Sequence, residues 1–229
     1  MTLVNHLEKE ILTRKELVFL IPAYNESNTI LSVVNSALKY GDVMVVNDCS
    51  NDETANIVSK TDALLINNEV NLGYEKSLVV GIRKGIELGY KYLITLDGDG
   101  QLNPHKTFEI LNLLKTNAIV VGNRNSKARI SEIIAGHISR ILFGFQDPFC
   151  GLKGYSLKYL SDTTNLYSQE SIGTELLIRM AKGQRPISEL NIEVIDRQGT
   201  QSTFGTNSIK LNIKFLYYFI RIIVKGEKI

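Results

Sequence analysis

Five short apolar runs rich in Val, Ile and Leu punctuate the first half of the chain: Leu17–Ile21, Val43–Val46, Ala63–Ile66, Tyr92–Leu96 and Ala118–Val121. Hydrophobicity that is continuous rather than alternating marks strands covered on both faces, so each is predicted to be a buried strand. Between them lie segments of helical length: 28–40 after Ser27, 51–60 after Ser50, 74–88, and 104–115 after Asn103. Ser and Asn suit the N-cap and Pro the first helical position, which sets where these helices should begin. Strands alternating with helices predict an α/β fold, a mostly parallel sheet with helices on both faces.

After Val121 the pattern loosens. It predicts a helix over 130–145, a strand over 152–155, helices over 157–164 and 173–182, an alternating strand over 187–194, and a polar loop through Asn207. No internal repeat, low-complexity stretch or linker interrupts the 229 residues, so one domain is expected.

The last segment, 209–224, reads as a helix of roughly 24 Å, shorter than the ~30 Å hydrocarbon core of a bilayer, and Lys214 and Arg221 interrupt it. It is not expected to cross a membrane. At about 100° per residue, Lys210, Lys214, Arg221, Lys225 and Lys228 share one narrow stripe, while Ile, Leu and Phe cover most of the remainder. Residues 203–229 carry those five basic residues against Glu227, a net +4; the whole chain is +2, which leaves −2 for the rest. Such a helix suits an interface with anionic lipids. The alternative is a helix docked on the domain core or on a dimer partner, with the basic stripe merely solvated.

Composition changes this picture little: 44% hydrophobic and 22% charged residues are globular values. Glu8, Lys9, Glu10, Arg14 and Lys15 break the apolar run that a secretory signal would need, so a cytoplasmic location is expected. Cys49 and Cys150 are too few for a disulfide framework and lack metal-ligand spacing; both are expected to be reduced. No nucleic-acid partner is expected.

Ligands of parallel α/β sheets bind beyond the carboxyl ends of the strands. That rule singles out 22–26, 47–52, 71–74 and 97–101, which should line one rim. Asp97 and Asp99 face the same side if strand geometry continues past Leu96. Two carboxylates ~4 Å apart repel by about 4 kcal/mol at an effective dielectric near 20, a penalty that a divalent cation removes. Hard oxygen ligands favour magnesium or manganese. Asp and Gly are also ordinary turn residues, and that reading stays open on spacing alone. A calcium loop does not fit, because the twelfth residue counted from Asp97 is Phe108 rather than Glu. Asp48, before a helix, either holds a ribose or base or merely complements the helix N-terminus together with Asp52.

The segments Ile21-Pro22-Ala23-Tyr24-Asn25-Glu26, Val45 through Thr54, Asn71-Leu72-Gly73-Tyr74, Leu96 through Gln101, Val121-Gly122-Asn123-Arg124, and Asp147 through Lys153 resemble, in order, those of family 2 glycosyltransferases with the GT-A fold. Within that family the resemblance is to polyprenyl-phosphate (dolichyl-phosphate) mannose or glucose synthases. The likeness implies a Rossmann-like catalytic domain over 1–205, with a nucleotide-sugar half over about 17–122 and an acceptor half over about 123–205, followed by the basic amphipathic helix of 206–229.

By the same resemblance the donor site comprises Pro22, Ala23, Tyr24, Glu26, Asp48, Asn71, Gly73 and Asp97, and Asp97, Asp99 and Gln101 surround a divalent metal, Mg2+ or Mn2+. Arg124 matches an arginine near the phosphates. Arg197 resembles a later one, although Gly199 follows it one residue early. The second phosphate-site arginine falls where this chain offers Arg129, His137 and Arg140, of which Arg140 is preferred. Asn47 and Glu75 depart from the pattern, standing where many relatives have Asp and Gly.

The implied reaction is inverting transfer of a hexose from a GDP- or UDP-sugar to a polyprenyl or dolichyl phosphate at the cytoplasmic face of a membrane. Leaving-group charge must be absorbed by metal and arginines. A hydroxyl acceptor would need a base, for which Asp147 and Glu175 are the candidates, whereas a lipid phosphate is already ionised. A family 2 transferase acting on a saccharide or protein hydroxyl is the alternative, and a non-catalytic nucleotide-sugar-binding protein a third reading. A nucleotidyltransferase would carry a Gly-rich, Arg-containing loop in place of 22–26. Homo-oligomers are compatible with all of these.

Overall fold

The computed structural model describes residues 16–98, 104–125, 129–160, 171–193 and 209–225. Its strands are β1 (Leu17–Ala23), β2 (Asp42–Asn47), β3 (Leu64–Asn67), β4 (Tyr92–Thr95), β5 (Ile119–Arg124), β6 (Lys153–Ser156) and β7 (Ile187–Ile192). The helices are α1 (Ile30–Ala37), α2 (Thr54–Val58), α3 (Tyr74–Glu87), α4 (Thr107–Leu114), α5 (Ile130–Phe143), α6 (Ile172–Lys182) and α7 (Ile209–Lys225). The strands form one sheet in the order β3-β2-β1-β4-β6-β5-β7. Only β6 runs against its neighbours, pairing antiparallel with both β4 and β5.

All seven residues of β1 are buried, which is why its sequence is uniformly apolar. Ala63–Ile66 was expected to be equally buried, but β3 lies at the sheet edge, paired only to β2, and Leu64 is 41% exposed. Periodicity cannot distinguish an edge strand of this composition from a central one. Ser27 and Ser50 do not cap helices: α1 begins at Ile30 with no side-chain cap, and Ser50 Oγ instead accepts the Asn25 amide at 3.0 Å. Of the helix expected over 157–164, a single 3-10 turn, Leu157–Tyr159, is present among the described residues.

From β1 the chain steps outward to β2 and β3, then returns to place β4 on the other side of β1. That reversal opens a crevice at the carboxyl ends of β1 and β4, the position where such sheets take ligands. In α3, Gly81 lets the helix pack closely on the sheet, since a Cβ there would lie 2.1 Å from Leu20 Cδ1.

The C-terminal helix is docked along one face. Phe219 and Ile222 of α7 are buried, and Asn212 accepts the Ser131 amide at 2.8 Å, satisfying an amide in the first turn of α5. Phe215 and Phe219 meet Phe149 at ring-centroid distances of 6.0 and 5.6 Å. Part of the alternative reading of the tail therefore holds, since one face of the helix covers the domain core. No helix among the described residues is long and apolar enough to cross a membrane.

Candidate active site

The floor of the crevice is made by two loops that hold each other. Past β1, Asn25 adopts a left-handed conformation (φ 56°), and past β2 so does Cys49 (φ 61°), turning both loops sharply upward. Side-chain acceptors then join them: the Asn25 amide donates to Ser50 Oγ, Glu26 to Thr54 Oγ1 at 2.9 Å, Ser27 to Asp52 at 3.1 Å, and Asn51 to Asn25 Oδ1 at 2.8 Å. Asp52 also takes the Thr54 amide at the start of α2. Burial acts to raise its carboxyl, but these bonds prevail and bring it down to about 2. Helix-terminal complementation thus describes Asp52.

Asp48 does something else. It is 3% exposed, and its two oxygens accept the Leu72 amide at 2.8 Å, the Gly73 amide at 2.7 Å and Asn68 Nδ2 at 2.8 Å. Gly73 has φ 86°, the left-handed region that glycine adopts without strain, and this turn aims both amides at the carboxylate. Burial pushes the Asp48 carboxyl up, but the bonds from Asn68, Leu72, Gly73 and Ser77 outweigh it and hold it below the usual range. Asp48 thereby fixes the segment 71–74 beside the loops of β1 and β2, joining three of the four rim segments.

Replacing Asp48 by Asn turns a donor toward two amides and should cost about 1–3 kcal/mol at pH 7. Because the folded-state carboxyl is depressed, its stabilisation is fully present above the unfolded value of ~3.9 and is lost as pH falls through the folded value. The gap between wild type and Asp48→Asn in thermal melts should therefore close below about pH 4; a gap that stays constant to pH 3 would contradict the assignment.

The fourth segment follows β4. Asp97 is partly buried, and Tyr74 Oη donates to its Oδ1 at 2.8 Å. Burial, then the Asp97 charge, push the Tyr74 phenol well up, so it stays a donor at all physiological pH. A Cβ on Gly151 would lie 2.2 Å from Asp97 Oδ2, so this glycine is what makes room for the carboxylate. Gly98 is packed beside Glu26 and Ala23, and its carbonyl accepts Thr29 Oγ1 at 2.8 Å. Pro22, Ala23, Glu26 and Asp97 are thereby brought together; Tyr24 and Asn71 stand exposed at the mouth. Asp99 and Gln101 lie outside the described residues. Among the described residues no cluster of three or more His, Cys, Asp or Glu forms. The Asp97 carboxylate, on a partly exposed residue, nevertheless offers hard oxygen ligands of the type that magnesium and manganese take.

On the other side of the crevice, β5 ends in Arg124. Its Nε and Nη2 donate to the two oxygens of Asp147 at 2.7 and 2.9 Å, and its amide donates to Asp147 as well, at 3.2 Å. Glu132 of α5 lies 3.4 Å from the same guanidinium and 3.1 Å from Arg129. Burial would lower the Arg124 pKa, but Asp147 raises it further, so the charge is fixed. Asp147 is 0% exposed. It was expected as a candidate base, but a carboxylate closed from solvent with both oxygens on one guanidinium orients that guanidinium instead. Glu175, in the first turn of α6, is partly exposed and 3.8 Å from Arg179.

A cavity of about 230 Å³ opens between the end of β5 and α5, lined by Asn125, Ile133, Gly136, His137 and Gln146. His137 lines it; Arg140, the preferred second arginine, is exposed one turn later and does not. Arg129 is engaged by Glu132 and lies over the Phe215 ring at 4.8 Å. Arg197 lies outside the described residues.

A family model described as glycosyl transferase family 2 matches residues 18–173, which hold every described part of this site except Glu175. The chain belongs to that family. Among the curated relatives of this glycosyltransferase, the UDP-N-acetylglucosamine–dolichyl-phosphate N-acetylglucosaminyltransferase of Methanococcus voltae is 27% identical over 89% of the chain and 94% of its own length. The undecaprenyl-phosphate mannosyltransferase of Micrococcus luteus is 29% identical over 78% and 83%. The glucosyl-3-phosphoglycerate synthase of Mycobacterium tuberculosis, solved with Mn2+ and UDP-glucose, superposes with a TM-score of 0.72 at 18% identity, over 97% of this chain and 82% of that one. The glycosyltransferase has the GT-A fold, as the motifs implied.

Sequence reasoning missed Gly151 as the cradle of Asp97, Tyr74 as its partner, and Lys153, which is 4% exposed with Nζ donating to the Cys150 carbonyl. Both Gly151 and Tyr74 stand inside matched motifs, but a motif does not say which side chain faces which.

Proposed function

We propose that this glycosyltransferase moves a hexose, with inversion, from a nucleoside-diphosphate sugar to a polyprenyl phosphate. The observation that carries the reading is the seating of Asp97, held by Tyr74 against Gly151, on the rim it shares with Asp48 and Arg124. Pro22, Ala23, Tyr24, Glu26, Asp48, Asn71 and Gly73 form the nucleoside side. Asp97, with Asp99 and Gln101, holds a divalent cation, Mg2+ or Mn2+, which when bound offsets the charge of the diphosphate leaving group. Arg124, oriented by Asp147, faces the phosphates from the opposite side, and Arg197 joins it. Residues 17–122 thus serve the donor, while 123–205 serve the acceptor and supply the arginines that face the phosphates.

A lipid phosphate is supported by the names of the two relatives and by the carboxylates available at the site. With Asp147 enclosed, Glu175 is the remaining carboxylate of the two candidates, and a phosphate with a second pKa of ≈ 6 attacks without a base.

The lipid surface is met by α5 and α7 together. Ten of the fifteen large apolar side chains that are exposed among the described residues lie on these two helices, including Ile130, Ile134 and Ile141 on α5 and Ile209, Ile213 and Val224 on α7. Helix α7 adds Lys210, Lys214 and Lys225, all exposed, and no acidic residue, which complements an anionic leaflet on the cytoplasmic side.

Thermal-shift measurements with GDP and UDP, with and without Mn2+, should show metal-dependent stabilisation by one of them. Transfer should then be found with polyprenyl phosphate and not with free hydroxyl acceptors. Flotation on anionic liposomes should be retained by wild type and weakened by I134E, I141E or I213E. Transfer to a saccharide hydroxyl that fails on substituting Glu175 would instead establish a hydroxyl acceptor.

A further inference from the structure

Glu75 stands where, by the resemblance noted above, many relatives have glycine, and the structure gives it a place that no described step of the reaction uses. It lies in the first turn of α3, directly after Tyr74. Its Oε2 accepts the Ile172 amide at 2.6 Å, and Ser171 and the Gly173 amide add further hydrogen bonds. The amino ends of two helices, α3 and α6, therefore converge on one carboxylate, and both backbone dipoles favour a negative charge there. Lys153 Nζ and Tyr155 Oη lie beside Gly173, each 3.6 Å from where its Cβ would be.

These contacts connect the two halves of the site. On one side, Tyr74 holds Asp97. On the other, Ile172 begins α6, whose Thr174 Oγ1 donates to the Pro148 carbonyl at 3.0 Å, next to the Asp147 that orients Arg124. Apart from the side chains of Tyr74 and Glu75, the link from Asp97 to Asp147 is made of backbone and the short Thr174 side chain, so little slack separates Asp97 from Arg124.

We propose that Glu75 is a positioning residue for the transfer: its carboxylate clamps the first turn of α6 to the first turn of α3 and so fixes the Asp97 carboxylate relative to the Arg124 guanidinium. The inference rests on the reading of the site as a transferase, since its value lies in setting donor-side and acceptor-side charges in register. A displacement of about 1 Å in such a constellation can cost a hundredfold in rate.

The clamp carries a pH signature. Burial pushes the Glu75 carboxyl up to about 7, against the opposing pull of the Ile172 amide and the Lys153 charge. Lys153 is itself lowered by burial. The other titratable groups facing Glu75 are the phenols of Tyr74 and Tyr155, both raised by burial. From α6 come amides, while that helix's Glu175 and Arg179 pair with each other. An acid whose folded value lies above its unfolded one binds its proton more tightly when folded. Stability is then greatest below the unfolded value and falls as pH rises toward about 7.

The test compares wild type with E75Q, E75D and E75A. Amide exchange over residues 171–177, which needs no substrate, should quicken tenfold or more in E75A and in E75D, whose shorter side chain withdraws from Ile172. In E75Q, which keeps an acceptor oxygen, exchange should stay slow. In kinetics, E75A and E75D should lose about 10–100-fold in kcat with donor KM within about threefold. E75Q should keep most of kcat at pH 7 but lose the inflection near neutrality and the decline in melting temperature between about pH 5 and 7. Unchanged exchange and kcat in E75A and E75D, or an E75Q pH profile identical to wild type, overturns the clamp. If wild type transfers no sugar at all, the transferase reading fails, and the exchange and melting data still decide whether the clamp exists. Should E75A fail to fold, E75D supplies the same comparison.

Discussion

Substituting Asn for Asp97 is expected to lower kcat by about a thousand-fold while leaving the melting temperature of the free protein close to wild type. Asn is nearly isosteric and still offers the Tyr74 hydroxyl an acceptor, so the bond at 2.8 Å and the packing on Gly151 survive. What disappears is the charge that the proposed reading sets toward the metal and donor diphosphate. Removing one preorganised electrostatic partner of a developing charge costs about 10²–10³ in rate, and loss of metal affinity adds to this. The nucleotide-dependent thermal shift should lose its Mn2+ requirement together with most of its size. The companion substitution Gly151→Ala should have the same phenotype without touching a charged group, because a Cβ 2.2 Å from Asp97 Oδ2 forces the carboxylate aside. An Asp97→Asn protein with a normal metal-dependent shift would remove Asp97 from the metal site.

Asp147→Ala is expected to be the most destabilising single change at the site. The carboxylate is 0% exposed and accepts three bonds from Arg124, whose side chain is itself only 20% exposed. Truncating one partner of a buried ion pair strands the other, at a cost of about 3–5 kcal/mol. For a chain of this size that corresponds to a drop of roughly 6–20 °C in Tm. Activity should fall further than stability explains, since a guanidinium freed from Asp147 turns toward Glu132. Thermal melts with kcat measured well below the transition separate the two effects. A protein that melts within 2–3 °C of wild type, roughly 1 kcal/mol, would mean that Arg124 finds an equal partner elsewhere.

Much of this is legible in the amino-acid sequence. The apolar runs located β1, β2 and β4 to within two residues and β5 to within three, because strands buried on both faces leave a continuous signature. The rim was legible because parallel strands must end on one edge, and Asp48 and Asp97 are both tied there to the segment 71–74. The edge position of β3 was not, because burial from one side only depends on what lies beyond the strand. Asp147 illustrates the sharper limit. Sequence order places it near the acceptor half, but whether a carboxylate works as a base or as a brace depends on which cation stands opposite. Here that cation is Arg124, 23 residues earlier in the chain. Glu75 was visible as a departure from the family pattern, while its partner, a backbone amide 97 residues away, leaves no trace in composition or spacing.

The mutual grip of the loops after β1 and β2 bears on how the donor is held. Ordering a free loop costs about 1–2 kcal/mol per residue in backbone entropy, and a binding site assembled from slack loops subtracts that cost from every association. In this protein Asn25, Glu26, Ser27 and Asn51 already have their amides committed across the two loops before any nucleotide arrives. On the function proposed above, the nucleoside meets a surface whose shape was set when the chain folded. On that reading selectivity between bases belongs to both loops jointly, and a change of preferred nucleotide is expected to take paired substitutions on the two of them rather than a single exchange on either.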